Sequence, residues 1–181
     1  MRNLRSAILQ QLREQKGRYV VTSCWEGEGK TTVSINLGAA LREFGLKVLL
    51  VDGDIRQRSL TRVLKLETQA QVVCTESPAL PGIGVVPAVE TPGIPPSDLL
   101  ARSEYRSELL EILKNYDVVL ADSPPLSVCS DAALLGSWFD GALMVVSQGR
   151  FQGVPEGHYS EDLREQGVPI LGVVITGATG D

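Results

Sequence analysis

Ten residues restrict what this chain can become more than any others: Ser23-Cys24-Trp25-Glu26-Gly27-Glu28-Gly29-Lys30-Thr31-Thr32. The apolar run Tyr19-Val20-Val21 leads in and predicts a strand over Tyr19–Ser23. A helical pattern starting near Thr31 leads out, with Val33, Leu37, Ala40, Leu41 and Phe44 on one face and Gly45 as a natural stop. Strand, glycine-bearing turn, Gly-Lys-Thr and helix is the arrangement that cradles phosphate. Glycines let successive backbone N–H groups turn inward without a Cβ in the way. Those groups and the positive end of the helix dipole make a nest for phosphate oxygens. Lys30 is then expected to reach the β- and γ-phosphates of a nucleotide, and the Thr31 hydroxyl to ligate Mg²⁺. Such a loop usually opens with glycine; here Cys24 stands in that place, so the loop is a variant, and a small buried residue is the plain reading of Cys24.

With 181 residues and 43 % hydrophobic content the chain suffices for one domain with a substantial core, and residues 1–181 are read as a single domain. A net charge of −5 argues against non-specific nucleic-acid binding, so no nucleic-acid partner is expected. No apolar run is long enough to cross a bilayer, and no secretory signal is evident. Cys24, Cys74 and Cys129 are scattered without a Cys-x-x-Cys pair, which fits a reducing compartment and no cysteine metal site. His158, the one histidine, reads as a surface residue.

Residues 2–16 read as an amphipathic helix with Leu4, Ile8, Leu9 and Leu12 as its stripe. The chain opens inside this pattern, so the expectation is a fragment of something longer. Lys47–Asp52 is a continuous apolar run, the mark of a strand buried on both faces of a parallel sheet. It ends in Asp52-Gly53-Asp54-Ile55-Arg56, where open α/β sheets bind ligands. A short helix is predicted over Leu60–Leu66, then an irregular excursion from Glu67 to Pro96 holding a short strand at Val85-Val86. Ser97 is expected to cap a helix in two pieces, the second carrying Tyr105, Leu109, Ile112, Leu113 and Tyr116 on its apolar stripe. Asp117–Asp122 repeats the buried-strand pattern and ends in Asp122-Ser123-Pro124-Pro125, the second Mg²⁺ element expected downstream of a phosphate loop. A helix at Asp131–Trp138, a strand at Gly141–Ser147 leading to Gln148-Gly149-Arg150, a weak helix over 158–166 and a last strand at Pro169–Thr176 complete the chain. The alternation implies an α/β fold: a mostly parallel central sheet flanked by helices on both faces.

Three motifs in order resemble the bacterial tyrosine kinases of capsule and exopolysaccharide synthesis, which are built on the MinD/ParA-type P-loop NTPase fold. They are the variant loop Ser23–Thr32, the segment Val48-Leu49-Leu50-Val51-Asp52-Gly53-Asp54-Ile55-Arg56, and Val118-Val119-Leu120-Ala121-Asp122-Ser123-Pro124-Pro125. The resemblance covers essentially the whole chain. The partition and division-site ATPases of that fold carry a signature lysine early in the loop; this chain has Trp25 there. Where the kinases usually have proline the chain has Glu26, a charge that at ~4 Å from a phosphate costs roughly 4 kcal/mol in surface-like dielectric and so must point away or weaken binding. Family members also end in a tail of clustered tyrosines; here four tyrosines (Tyr19, Tyr105, Tyr116, Tyr159) are dispersed. Either a tail was removed, or the substrate is another protein, or the kinase activity has been lost.

The resemblance implies transfer of the ATP γ-phosphoryl group to a protein tyrosine, with ATP/ADP and Mg²⁺ as cofactors. Glu26, Gly27, Glu28, Gly29, Lys30, Thr31, Thr32 and Arg150 would hold the nucleotide; Thr31, Asp54 and Asp122 would hold Mg²⁺. Lys30, Asp52, Asp54 and Asp122 would be catalytic, with Asp52 accepting the tyrosine proton, although Asp52 and Asp54 can exchange roles. Arg56 and Arg150 are read as phosphate contacts or as structural ion pairs. Two other readings stay open: an ATPase switch of the MinD/ParA type, and a catalytically weak nucleotide-binding adaptor. Implied partners are a membrane-spanning polysaccharide co-polymerase or modulator, fused or separate, and further copies of the chain, which would associate through the helix carrying Arg2 and Arg5. The implied location is cytoplasmic, at the inner face of the membrane through that partner or a missing segment.

Overall fold

The computed structural model describes residues 16–128, 131–150 and 154–177; positions 2–15 of the helix predicted over 2–16, with Arg2 and Arg5, and Cys129 lie outside them. Seven strands form one sheet: β1 (Gly17–Ser23), β2 (Val48–Asp52), β3 (Thr75–Glu76), β4 (Gly84–Val86), β5 (Val118–Asp122), β6 (Gly141–Ser147) and β7 (Ile170–Thr176). Their order is β3-β4-β2-β5-β1-β6-β7, and every pairing is parallel except β3 with β4. The helices are α1 (Lys30–Arg42), α2 (Ser59–Val63), α3 (Pro96–Leu100), α4 (Ser103–Leu113), α5 (Asp131–Gly136) and α6 (Val154–Glu165).

The continuous apolar runs are buried on both faces, as their composition requires. Leu49, Val51, Val119 and Ala121 point to one side, against Leu100, Leu109 and Leu113 of α3 and α4. Val48, Leu50, Val118 and Leu120 point to the other, against Val33, Leu37 and Leu41 of α1 and Leu60 of α2. Gly38 lets α1 approach closely, since a Cβ there would lie 3.0 Å from Leu50. A smaller cluster joins Cys24, Met144, Val146 and Leu163 under α6.

Three differences from the sequence reading have local causes. The edge pair β3/β4 includes an antiparallel strand of two residues, too short to show alternation, set by a turn in which Gly82 takes φ +75°. Helix α6 begins at Val154 rather than 158, because Pro155 falls in its first turn, where a missing N–H costs no hydrogen bond. Pro95 rather than Ser97 caps α3, with Pro96 opening it. Cys24 is fully buried, and His158 is exposed.

Parallel pairing at matched register brings the chemistry together. Asp52 pairs with Asp122 across β2 and β5, and Val21 pairs with Asp122 across β1 and β5. Both acidic strand ends therefore arrive beside the loop that follows β1.

Candidate nucleotide site

The loop after β1 turns on Gly27 (φ +79°) and Gly29 (φ +95°), conformations that a Cβ would strain. Gly29 caps α1, so the N–H groups of its first turn face outward at its positive end. Lys30 opens that helix and is 8 % exposed; its Nζ donates to Ser23 Oγ at 3.1 Å, while Ser23 Oγ donates to the carbonyl of Trp25 at 2.7 Å. Thr31 Oγ1 donates to Asp122 Oδ2 at 2.5 Å.

Asp52 Oδ2 accepts two bonds from Thr61, from its N–H at 2.8 Å and its hydroxyl at 2.6 Å. The hydroxyl is oriented for this because it accepts from the N–H of Ala88 at 2.8 Å. Asp54 Oδ1 accepts from the Gln57 N–H at 2.9 Å. Burial pushes the Asp52 carboxyl up to about 6, against the two Thr61 bonds and the Asp54 N–H and with help from the Asp54 charge. Burial likewise pushes Asp122 up to about 7; the Thr31 bond and Lys30 oppose it, and Asp52 and Asp54 reinforce it. Burial lowers the Lys30 ammonium, and Asp122, Asp54, Glu28 and Glu26 counter that effect.

A cavity of about 330 Å³ lies over this arrangement. Gly27, Gly29, Lys30, Thr31 and Thr32 form one wall, Asp54, Gln57 and Ser59 another, and Asp122, Ser123 and Pro125 a third. A larger cavity of about 580 Å³ sits at the opposite end of the strands, around Arg42, Lys47, Cys74 and Tyr116, and gathers none of the motif residues. Size alone does not locate the site.

The donor set suits a magnesium-nucleotide. Asp122 Oδ1, in the cavity wall, is buried and lacks a hydrogen-bond partner, which is costly unless something else supplies one. Metal-bound waters are donors of the required kind. Among the described residues no cluster of three or more His, Cys, Asp or Glu forms a metal cage. Mg²⁺ is commonly held by one or two carboxylates together with phosphates and retained waters.

Most predicted site residues converge here; three do not. Glu28 turns its carboxylate away from the cavity, to the N–H groups of Trp25 (2.9 Å) and Ser147 (3.0 Å), and is 1 % exposed. Arg150 lies outside the cavity wall and braces the loop from behind, donating from Nη1 to the carbonyl of Glu26 at 2.6 Å. Asp52 has no exposed surface and does not line the cavity, whereas Asp54 does, because Asp52 is the last residue of a strand buried on both sides and Asp54 lies beyond it. Glu26 is exposed at the mouth. Arg56 makes an ion pair with the buried Asp131 at 3.0 Å. Ser23, Thr61 and Gln57 were missed. Ser23 and Gln57 act through bonds to near neighbours in the turns, Gln57 by its backbone N–H, and Thr61 through the packing of α2 on β2.

This fold with this loop defines a P-loop nucleotide-binding domain. The family described as the CobQ/CobB/MinD/ParA nucleotide binding domain matches residues 19–180. Tyrosine-protein kinase YwqD of Bacillus subtilis (strain 168) is 32 % identical over 171 residues, covering 87 % of this chain and 71 % of that protein. Tyrosine-protein kinase CpsD of Streptococcus agalactiae is 29 % identical over 170 residues, covering 86 % of this chain and 72 % of that protein. The kinase domain of Escherichia coli tyrosine kinase ETK superposes with a TM-score of 0.86 at 25 % identity, covering 99 % of this chain and 76 % of that one. The septum site-determining protein MinD of Pyrococcus horikoshii OT3, solved with Mg-ADP, shares the fold with a TM-score of 0.69 at 22 % identity, over 90 % of this chain and 72 % of that one. The chain belongs to the CobQ/CobB/MinD/ParA nucleotide-binding family, within its branch of bacterial tyrosine-protein kinases.

Proposed function

We propose that this domain transfers the γ-phosphoryl group of Mg-ATP to a protein tyrosine, in the regulation of capsule or exopolysaccharide synthesis. The observation that carries the reading is the unpartnered buried oxygen Asp122 Oδ1 in the wall of the cavity that Lys30 and Thr31 also line, with Thr31 bonded to the other oxygen of the same carboxylate. Mg²⁺, when bound, would supply neutralisation of the phosphate charge. The residues that would hold it are Thr31, Asp122 and Asp54. Gly27 and Gly29 open the backbone to the phosphates, and Lys30 balances their charge. A tyrosine hydroxyl, with an ordinary pKa near 10, enters protonated, so a carboxylate at the cavity wall is useful as its acceptor. Of Asp52 and Asp54, it is Asp54 that has access to the cavity; Asp52 stands behind it and fixes the strand end.

The relatives named above support the kinase reading over a pure ATPase switch, as does Trp25 in place of a signature lysine. We further propose association with a membrane-spanning modulator at the inner membrane face, and self-association through residues 2–16. Among the described residues no helix is long and apolar enough to cross a membrane. The test is incubation with γ-labelled ATP, Mg²⁺ and a tyrosine-bearing acceptor tail. Label on tyrosine is expected; free phosphate alone would mean a switch, and neither product an adaptor.

A further inference from the structure

Glu28 is a buried carboxylate for which the described structure records no salt bridge, and it sits between the two glycines that give the nucleotide loop its left-handed turns. Its two oxygens take different jobs. Oε2 accepts from the N–H of Trp25, inside the loop, at 2.9 Å. Oε1 accepts from the N–H of Ser147, the last residue of β6, at 3.0 Å. The Glu28 carbonyl accepts from Thr176 Oγ1, on the last residue of β7, at 2.8 Å. One residue thus ties the loop to itself and to two strand ends. Hydrogen bonds to a charged group are about twice as strong as neutral ones, and a buried carboxylate without them is not tolerated.

We infer that Glu28 is a positioning residue for nucleotide binding, and that Thr176 acts with it as the second point of a clamp fixing the loop to the ends of β6 and β7. Glycines at 27 and 29 free the backbone to face phosphate but leave it entropically loose. The clamp restores rigidity where the loop has none of its own, holding the Gly29–Thr31 N–H groups and Lys30 in place before the ligand arrives. Thr176 also packs against Gly29, where a Cβ would come within 3.5 Å of its methyl group. The inference rests on the nucleotide-binding part of the proposed function, not on what is phosphorylated.

The test measures the affinity of the intact chain for Mg-ADP by calorimetry, together with the melting temperature without ligand. Glu28→Gln keeps one acceptor but sets an amide N–H₂ against a backbone N–H, so it is expected to weaken binding about tenfold or more. Thr176→Val, which keeps the shape and loses the donor, is expected to weaken it about fivefold, and Thr176→Ser to restore it to within about twofold. Melting temperatures that fall while both affinities stay at the wild-type value would overturn the inference, leaving Glu28 as scaffold only. Should Glu28→Gln fail to fold, Thr176→Val with unchanged affinity overturns it equally. A wild-type chain that binds no Mg-ADP would instead remove the proposed function, and the clamp with it.

Discussion

Thr31 and Asp122 meet through a 2.5 Å hydrogen bond, although 91 positions separate them in the chain. The bond joins the first turn of α1 to the end of β5 and leaves Asp122 Oδ1 without a partner. The phosphate loop and the second acidic element are therefore assembled as one unit by the fold itself. Lys30→Met tests that unit. Methionine fills the lysine's volume without its charge, so stability should change little while nucleotide turnover disappears. Turnover at the wild-type rate in that variant would reject the site.

Asp52 and Asp54 had exchangeable roles on sequence grounds, and their surroundings differ. Asp54 lines the cavity; Asp52 is buried with one oxygen committed to Thr61. Asp54→Asn is expected to lower tyrosine phosphorylation by about 100-fold or more, the usual range for losing a positioned base or a metal-holding carboxylate. Asp52→Asn should bind nucleotide and lose less. Side-by-side initial rates decide this: a larger loss in Asp52→Asn would give the proton-accepting role back to Asp52.

The two buried acids also set a pH dependence. Folded Asp52 and Asp122 titrate near 6 and 7, above the ordinary value of 3.8, because burial disfavours their charged forms. Across the window from about pH 4 to pH 7 the folded chain binds more protons than the unfolded one, so the stability contributed by these groups falls as pH rises. The ligand-free melting temperature should drop between pH 5 and pH 8. Asp122→Asn should flatten that slope and raise the value at pH 8. Mg-ADP, which favours the ionised carboxylates, should stabilise more at pH 8 than at pH 5.5. A melting temperature that climbs across this window, with no flattening in Asp122→Asn, would contradict the assignment.

Much of this site was legible before any coordinates, because its frame is made of strong local signals. Val48–Asp52 and Val118–Asp122 announce themselves as buried parallel strands, and a buried strand ending in a carboxylate delivers that carboxylate to the edge where ligands bind. Direction was harder to read. Nothing in Gly27-Glu28-Gly29 says that the Glu28 carboxylate faces Ser147, 119 positions away, rather than the cavity. Arg150 lies one turn past β6 and can reach either the nucleotide or the loop; packing sends it to the Glu26 carbonyl. Trp25 distinguished the loop by type alone, whereas its structural role, edge-on to Tyr159 at 5.6 Å, depends on where α6 lies.

Gly84 offers a prediction independent of the chemistry. It lies at the start of β4, at the far end of the sheet from the loop, and a Cβ built there would fall 2.3 Å from the Tyr116 hydroxyl and 2.8 Å from its ring. Tyr116 in turn sits 3.0 Å from Cys74 Sγ, an arrangement that, with burial as the larger cause, pushes its hydroxyl up to about 12. Gly84→Ala must displace the phenol ring or bend β4, and overpacking of this kind typically costs about 1–3 kcal/mol. Tyr116→Ala vacates the space, so the double variant should recover part of that loss: the two sites are in contact and their effects should not add. Denaturant unfolding of the wild type, both single variants and the double variant measures the coupling. Mg-ADP affinity should be unchanged in Gly84→Ala, since the displaced ring is remote from Lys30 and Thr31. Strict additivity, or a parallel loss of nucleotide affinity, would show that the contact does not govern this end of the sheet.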